Sequence, residues 1–387
     1  MTRPTIPPLD PFWKRHRSLY PALERFTYLN NASIQPLPLP VAEALHRFVT
    51  TATEGDPDSL YVPAVPENLR RSFSCWLGCS PGDLALVSST SDGLIKAVNS
   101  VGWRSSDEIL IPRNEFPSVV YPFRMARASG ATVRFVGTAG RPVTEDDILG
   151  AVTPATRAVA FSWVSFSTGY KMDLDSFPRE LKARGVEFVI VDGMQGVGVW
   201  PPDLSKTAVD FFSFQAVKWI AGPNGTGALY VRPDLWRQLR NPSFSWYSVA
   251  ACEDYQLLAD TGLEPFESAR RWDGGTPPWI PMVGVQAYLD LLDQAGPEGV
   301  AARMDHLLDA LGRRLENAGI GTVVPLSSPH RSSIVLLEVG GAELLQERLR
   351  DAGILTALRM GRIRVSPHVY NVEEDFDRLV AVLGESA

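Results

Sequence analysis

The stretch VEFVIVDGMQGVG, residues 186–198, decides the fold class. Apolar side chains fill almost every position from Val186 to Val191, and this pattern indicates a strand that is covered on both faces. The run stops at Asp192, and a glycine follows it. Sheets made of such strands bind ligands at the carboxyl ends of the strands. Asp192 therefore stands where we expect chemistry.

Similar short apolar runs recur along the chain, and segments with helical spacing separate several of them. The runs lie at residues 84–90, 108–112, 132–136, 157–164, 210–214 and 227–233. Strands that alternate with helices predict an α/β fold, in which a parallel or mixed sheet is covered on both faces.

The length and the change of pattern along the chain predict its domains. With 387 residues the chain is long enough for two or three domains. The proline-rich residues 1–20 are expected to form an N-terminal arm. Residues 21–297 carry the alternating pattern and form the predicted large domain. A long amphipathic helix, short strands and a final helix then predict a small C-terminal α+β domain, residues 298–387.

The composition argues against two classes of partner and indicates the cellular compartment. The 37 basic and 44 acidic residues give a net charge of −7, so we expect no nucleic acid partner. No apolar run is long enough for a membrane span, so we expect no membrane contact. Cys75, Cys79 and Cys252 are too few for a disulfide framework in a chain of this length, and they indicate a reducing cytoplasm.

Two strand ends carry residues suited to chemistry. Lys218 follows the strand at 210–214 and lies between Val217 and Trp219. Burial lowers the pKa of such an amine and makes it a nucleophile toward aldehydes, whereas a lysine on a surface loop is the alternative. Asp192 could cap a helix, bind a metal or a ribose, or hold a protonated ring nitrogen.

A third group of residues, Ser89, Thr90 and Ser91, lies between a strand and a helix. Free backbone amides of a first helical turn, together with hydroxyl groups, form an anion site that suits a phosphate. Simple helix capping is the alternative. A phosphate site, a strand-end acid and the lysine that follows it together indicate one cofactor, pyridoxal 5′-phosphate.

Over about residues 26–377 the chain resembles the class V aminotransferase family of fold-type I pyridoxal phosphate enzymes, which includes cysteine desulfurases and isopenicillin N epimerase. VDGMQGVG (191–198) and SFQAVKWIAGPNGTG (213–227) carry most of the resemblance. It implies a large domain with a mostly parallel seven-stranded sheet between helices. It also implies that Lys218 bonds to the cofactor aldehyde and that Asp192 holds the pyridine nitrogen.

The resemblance implies further contacts with the cofactor and the substrate. Phe116 would stack on the cofactor ring, Gln195 would bind the ring hydroxyl, and Gly275 and Thr276 would reach the neighbouring site of a homodimer. Arg364 would bind the substrate carboxylate. The full set of implied cofactor-binding residues is Ser89, Thr90, Ser91, Phe116, Asp192, Gln195, Gln215, Lys218 and Thr276, and the implied substrate-binding residues are Asn31, Phe166 and Arg364.

The reaction is predicted from two departures from the family pattern. Desulfurases carry a nucleophilic cysteine on a loop before the carboxylate arginine, and DAGILTALRMGRI (351–363) has none. Phe166 replaces an asparagine of desulfurases and resembles the epimerase-like branch. We therefore expect a lyase that acts at the α-carbon of an amino acid by β-elimination in a biosynthetic pathway, with C–S cleavage as one form of this elimination. The alternatives are an aminotransferase, an amino-acid epimerase, and a non-enzymatic ligand sensor or degenerate scaffold.

Overall fold

A computed structural model describes residues 11–250 and 264–384 of the chain. The α-helices are Pro11–Ser18 (α1), Leu39–Glu54 (α2), Ala64–Leu77 (α3), Thr90–Ser100 (α4), Pro117–Ala126 (α5), Glu145–Ala151 (α6), Phe177–Ala183 (α7), Trp279–Leu292 (α8), Gly296–Asn317 (α9), Ala342–Asp351 (α10) and Glu373–Gly384 (α11). The strands are Thr27–Tyr28 (β1), Leu84–Val87 (β2), Glu108–Pro112 (β3), Thr132–Val136 (β4), Thr156–Ser162 (β5), Phe188–Asp192 (β6), Phe211–Gln215 (β7), Gly227–Val231 (β8), Gly321–Thr322 (β9), Val335–Glu338 (β10), Ile354–Leu355 (β11), Ala357–Arg359 (β12) and Arg362–Val365 (β13).

A seven-stranded sheet forms the centre of the large unit, in the order β2-β8-β7-β6-β5-β3-β4. Strands β7, β6, β5, β3 and β4 pair in parallel, and only β8 runs against its two neighbours. The α/β fold class, with its mostly parallel seven-stranded sheet, is therefore confirmed.

The strands are buried on both faces because their side chains alternate between two separate cores. In β6, Ile190 belongs to the core beneath α4 and α5, while Val189 and Val191 belong to the larger core on the opposite face. Every residue of β6 is buried. This double covering explains why the strand runs in the sequence are nearly continuous rather than alternating.

The parallel strands bring five chain segments to one edge of the sheet. Strands β2, β3, β5, β6 and β7 all end there, and Ser162 lies opposite Asp192 in the pairing of β5 with β6. Helix α4 starts three residues after β2 ends. Gly93 in its first turn permits close packing on β7, because a Cβ atom at this position would lie 2.1 Å from the Ser213 hydroxyl oxygen.

The C-terminal part contains an antiparallel four-stranded sheet in the order β12-β13-β10-β9, with α9, α10 and α11. Near the other end of the chain, β1 pairs in parallel with β11, and Asn30 bridges to Ser366. The chain start is thus tied to the C-terminal part. The division at residues 297 and 298 stays a prediction, and α9 already begins at Gly296.

The segment expected to form an arm is helical from Pro11 onward. Helix α1 buries Trp13 and His16, and Tyr20 beyond it is 1 % exposed. Aromatic side chains supply the reason, since Trp13 and Tyr20 both join the main hydrophobic core. Trp13 and Tyr20 therefore anchor residues 11–20 to the core, while Lys14 and Arg15 remain exposed. Within the described residues, the helices are too short or too polar to cross a bilayer.

Candidate active site

A cavity of about 280 Å³ opens at the sheet edge where the parallel strands end. Nine of the residues predicted to bind the cofactor or the substrate line this one cavity: Ser89, Thr90, Ser91, Phe116, Phe166, Asp192, Gln195, Gln215 and Lys218. The residues come from five separate segments of the chain, so the fold, and not local sequence, brings them together.

Asp192 lies at the carboxyl end of β6 and is 5 % exposed. Its Oδ1 atom accepts a hydrogen bond from the backbone N–H of Met194 at 2.8 Å. Burial raises the pKa of Asp192 to about 6, although the nearby charge of Lys218 opposes the shift. A carboxylate with this environment can share a proton with a basic ring nitrogen.

Lys218 lines the same cavity as this acid and lies on the turn that follows β7. Its Nζ atom is 5.9 Å from the centre of the Phe116 ring and has no hydrogen bond or ion pair with the described residues. Burial lowers the pKa of Lys218 to about 8, and the charges of Arg364 and Arg359 add to this effect while Asp192 opposes it. A substantial fraction of the amine is therefore neutral near neutral pH and able to attack a carbonyl.

An anion cradle is formed by the start of α4. The Ser89 side chain caps the helix by accepting a hydrogen bond from the Asp92 N–H at 3.0 Å, and the Gly93 N–H donates to the Ser89 carbonyl. Of the first-turn amides, those of Thr90 and Ser91 are left to bind a ligand. The Ser91 and Ser118 hydroxyls lie 2.6 Å apart beside them.

The cavity walls are held in place by aromatic rings and amides. Phe116 packs edge-to-face on Phe166, with the ring centres 5.2 Å apart. The Gln195 amide donates to the Ala32 carbonyl and accepts from the Trp219 indole N–H at 3.0 Å, so its orientation is fixed. Gln215 donates to the Asn224 side chain.

Arg364 stands directly behind the cavity wall and is 1 % exposed. It donates to the Ser33 hydroxyl at 2.7 Å and to the Phe166 carbonyl at 3.3 Å, and Ser33 and Phe166 both line the cavity. Burial lowers the pKa of Arg364 to about 9, with a further contribution from Arg359. Its Nε atom is buried and has no hydrogen-bond partner among the described residues.

Three predicted residues lie away from the cavity. The Asn31 side chain is fully buried and donates to the Ser366 carbonyl at 2.9 Å while it accepts from the Tyr370 hydroxyl at 2.7 Å. It thus supports the wall, whereas Ser33, two positions later, lines the cavity. Gly275 and Thr276 are exposed and line a second cavity of about 510 Å³.

Sequence reasoning missed Glu115, Ser162 and Ser118. Glu115 is half-buried beside the cavity, and its carboxylate accepts hydrogen bonds from the Ser162 N–H and hydroxyl. Burial raises its pKa to about 7, and the charge of Asp192 adds to the shift. The available signal for Glu115 was an acidic residue close to the end of a buried strand, because β3 ends three positions earlier.

No cysteine lines the cavity in the part of the chain that the structure describes. Cys75, which lies on α3, is exposed, and Cys79 is half-buried. Cys252 lies outside the described residues.

Comparison with known protein families gives one match that spans most of the chain. The model for "Aminotransferase class-V" matches residues 27–379. The chain belongs to the class V aminotransferase family. This class V enzyme therefore depends on pyridoxal 5′-phosphate, as its residues predict, and the non-enzymatic alternative is set aside.

Similar proteins include two enzymes with different named reactions. A probable cysteine desulfurase of Aeropyrum pernix is 28% identical over 95% of this chain and 96% of its own length. Isopenicillin N epimerase of Streptomyces clavuligerus is also 28% identical, over 92% and 93%. Among solved structures, the cystine C–S lyase C-DES in complex with cysteine persulfide superposes with a TM-score of 0.82 at 22% identity, covering 95% of this chain and 99% of that one.

The residues around the cavity fit this cofactor. The amides of Thr90 and Ser91 can take the phosphate, Phe116 offers a face to the ring, and Asp192 can hold a protonated ring nitrogen. Lys218, whose amine is unpaired among the described residues, can reach the aldehyde. The donors and acceptors therefore suit each end of pyridoxal phosphate.

Proposed function

We propose that this enzyme is a lyase that cleaves the Cβ–S bond of a sulfur-containing amino acid. The observation that carries the proposal is the inventory of titratable side chains on the cavity. Asp192 and Lys218 are the only carboxylate and the only amine among the described residues that line it, and no cysteine joins them. β-Elimination requires one base, whereas transfer of sulfur to the enzyme requires a thiolate.

Each residue has a distinct task in this reaction. Bound pyridoxal phosphate supplies an electron sink that acidifies the Cα–H bond of the amino acid. Lys218 Nζ accepts the Cα proton, since its lowered pKa leaves the amine partly neutral. Asp192 keeps a proton on the ring nitrogen, and Arg364 orients the substrate carboxylate through its fork of N–H donors.

The overall reaction is an elimination followed by hydrolysis. The Cα–H and Cβ–S bonds break, the sulfur leaves as a thiol from a thioether or as a persulfide from a disulfide, and water releases the remaining fragment. One amino acid and one water thus give one thiol or persulfide, one pyruvate and one ammonium ion. The named activity of C-DES, a cystine C–S lyase with the same fold, supports this choice.

Product analysis on a panel of amino acids tests the proposal. The panel includes L-cystine, S-methyl-L-cysteine, L-alanine and L-serine, and the readouts are pyruvate, ammonia and free thiol. We expect equal amounts of pyruvate and ammonia from the sulfur compounds, and none with Lys218→Ala. A keto acid that retains sulfur would establish an aminotransferase, and a D-amino acid without pyruvate would establish an epimerase.

We also propose a cytoplasmic homodimer. Thr276 and Gly275 support it, because they are exposed and lie away from the cavity of their own chain, on a loop where the family reaches across to its neighbour. The few cysteines support the compartment. We expect sedimentation of the purified enzyme at twice the chain mass, and weaker retention of the cofactor in Thr276→Ala. Sedimentation as a monomer with full cofactor retention would contradict the dimer.

A further inference from the structure

Three arginines, Arg359, Arg362 and Arg364, lie on one face of the β12–β13 hairpin. Arg359 lies opposite Arg362, and Ala357 lies opposite Arg364, so all four side chains share that face. The opposite face carries Leu358 and Ile363. The hairpin thus presents Arg359 and Arg364 side by side toward the cavity wall.

Both guanidinium groups converge on one hydroxyl group. Arg364 donates to the Ser33 Oγ atom at 2.7 Å, and Arg359 reaches the same atom at 3.5 Å. Ser33 itself lines the cavity. This end of the cavity, formed by Ser33 with Arg359 and Arg364 behind it, is called the Ser33 pocket below.

The positive charge of the Ser33 pocket is not balanced by the described residues. Arg359 bonds only to Ser33 and to the Leu358 carbonyl, and no carboxylate there pairs with either arginine. Their charges also lower the pKa of Lys218. Two like charges at a partly buried site are costly unless an anion lies between or beside them.

One substrate carboxylate accounts for only half of this charge. Arg364 is buried, has an unpaired Nε atom and is suited to hold the α-carboxylate. Arg359, half-buried at the end of the hairpin, then retains a positive charge beside the bound substrate. The remaining charge calls for a second acidic group on the ligand.

We infer that the Ser33 pocket selects amino acids with a distal carboxylate, and that Arg359 is the specificity-determining residue that binds it. The inference rests on the proposed function and names its substrate class: thioether or disulfide amino acids that carry a second acidic group. Arg364 holds the α-carboxylate, and Arg359 holds the distal one.

Calorimetry with unreactive ligands tests this subsite on the cofactor-loaded enzyme. Glutarate and its monoamide differ only in one charged group, and neither has an amine that could react. We expect glutarate to bind about tenfold more tightly than the monoamide. Arg359→Gln should abolish this preference, whereas Arg359→Lys should retain part of it.

Arg362→Gln is the matched control, because Arg362 lies on the same hairpin face and has no bond to Ser33. It should keep the full preference for glutarate. If Arg359→Gln weakened the binding of both ligands equally, the inference would be overturned, because Arg359 would then only help Arg364 to bind the carboxylate that both ligands share. Equal loss of preference in Arg362→Gln would also overturn it, because a general positive field would suffice.

A second measurement separates this inference from the proposed function. S-carboxymethyl-L-cysteine and S-carbamoylmethyl-L-cysteine share a thioether leaving group and differ in the distal charge. We expect pyruvate from both, with a KM about tenfold lower for the acid in wild type and equal KM values in Arg359→Gln. Equal KM values in wild type would overturn the subsite and leave the lyase standing. Absence of pyruvate from both, with the glutarate preference intact, would overturn the lyase and support the subsite.

Discussion

Glu115 and Ser162 form a hydrogen-bonded pair at the cavity wall, in which the Glu115 carboxylate accepts hydrogen bonds from the N–H of Ser162, at 2.7 Å, and from its hydroxyl. Ser162 in turn lies opposite Asp192 in the pairing of β5 with β6. Glu115 and Asp192 are thus linked through Ser162 at the end of β5. Burial raises the pKa of Glu115 to about 7 and that of Asp192 to about 6.

The raised pKa of Glu115 predicts a pH-dependent stability. The ordinary value is 4.5, so the folded protein holds this proton more tightly than the unfolded chain does. The contribution is intact below the unfolded value and is lost as the pH rises toward 7. Relative to Glu115→Gln, wild type should lose about 2–3 kcal/mol of unfolding free energy between about pH 5 and pH 8.

Urea unfolding of the cofactor-free proteins at both pH values measures this difference. Glu187→Gln, at an exposed carboxylate, provides the control and should track wild type. A difference between wild type and Glu115→Gln that stays constant with pH would show that Glu115 has no raised pKa.

The lowered pKa of Lys218 predicts how fast the cofactor is captured. Only the neutral amine attacks an aldehyde, and burial lowers the pKa of Lys218 to about 8. The rate at which cofactor-free enzyme develops the absorbance of lysine-bound cofactor should therefore rise with pH and level off above about pH 8. Lys206→Ala, at an exposed lysine, should behave as wild type. A rate that still climbs toward about pH 10 would be the behaviour of an unperturbed lysine.

Asp192→Asn should retain the cofactor and lose turnover. The amide keeps the shape of the side chain but cannot hold a proton on the ring nitrogen as a carboxylate does. We expect kcat to fall by about 100-fold or more, since a preorganised charge in a buried site is removed. Cofactor content, measured after denaturation, should stay near one per chain. A kcat close to that of wild type would exclude the assigned role.

Gly93→Ala should disturb the anion cradle through packing. The added Cβ atom would lie 2.1 Å from the Ser213 hydroxyl oxygen and 2.9 Å from its Cβ, so α4 must move away from β7. We expect a destabilisation of about 1–3 kcal/mol and weaker cofactor binding. Gly102→Ala is the control, because its Cβ would meet nothing within 4 Å. Equal effects of the two substitutions on cofactor affinity would contradict this explanation.

The sequence was sufficient for the sheet and for the residues that meet at its edge. Strand β6 is apolar at every position before Asp192, because both of its faces are covered, and this pattern is visible without any partner. Lys218 and the Ser89–Ser91 hydroxyls follow strand ends in the same way. Their convergence on one cavity follows from parallel strand order.

Other parts of the site depend on contacts that no local pattern carries. Asn31 and Ser33 are two residues apart, and long-range contacts with Ser366 and Tyr370 hold Asn31 in the interior while Ser33 lines the cavity. In the sequence, Glu115 cannot be told from an acidic residue of a surface loop, because its contact with Ser162 is seen only in the fold. The placement of Arg359 and Arg364 on one face likewise needs the register of the hairpin.

A proton NMR time course in D₂O with S-carboxymethyl-L-cysteine tests the central claim most directly, because it follows the α-carbon and the side chain together. If Lys218 removes the Cα proton and the sulfur then leaves, deuterated pyruvate should appear as the substrate disappears. Ammonia should form in an equal amount, and Lys218→Ala should form neither product. Exchange of the Cα proton in a substrate that stays intact, or a keto acid that keeps its sulfur, would contradict the lyase assignment.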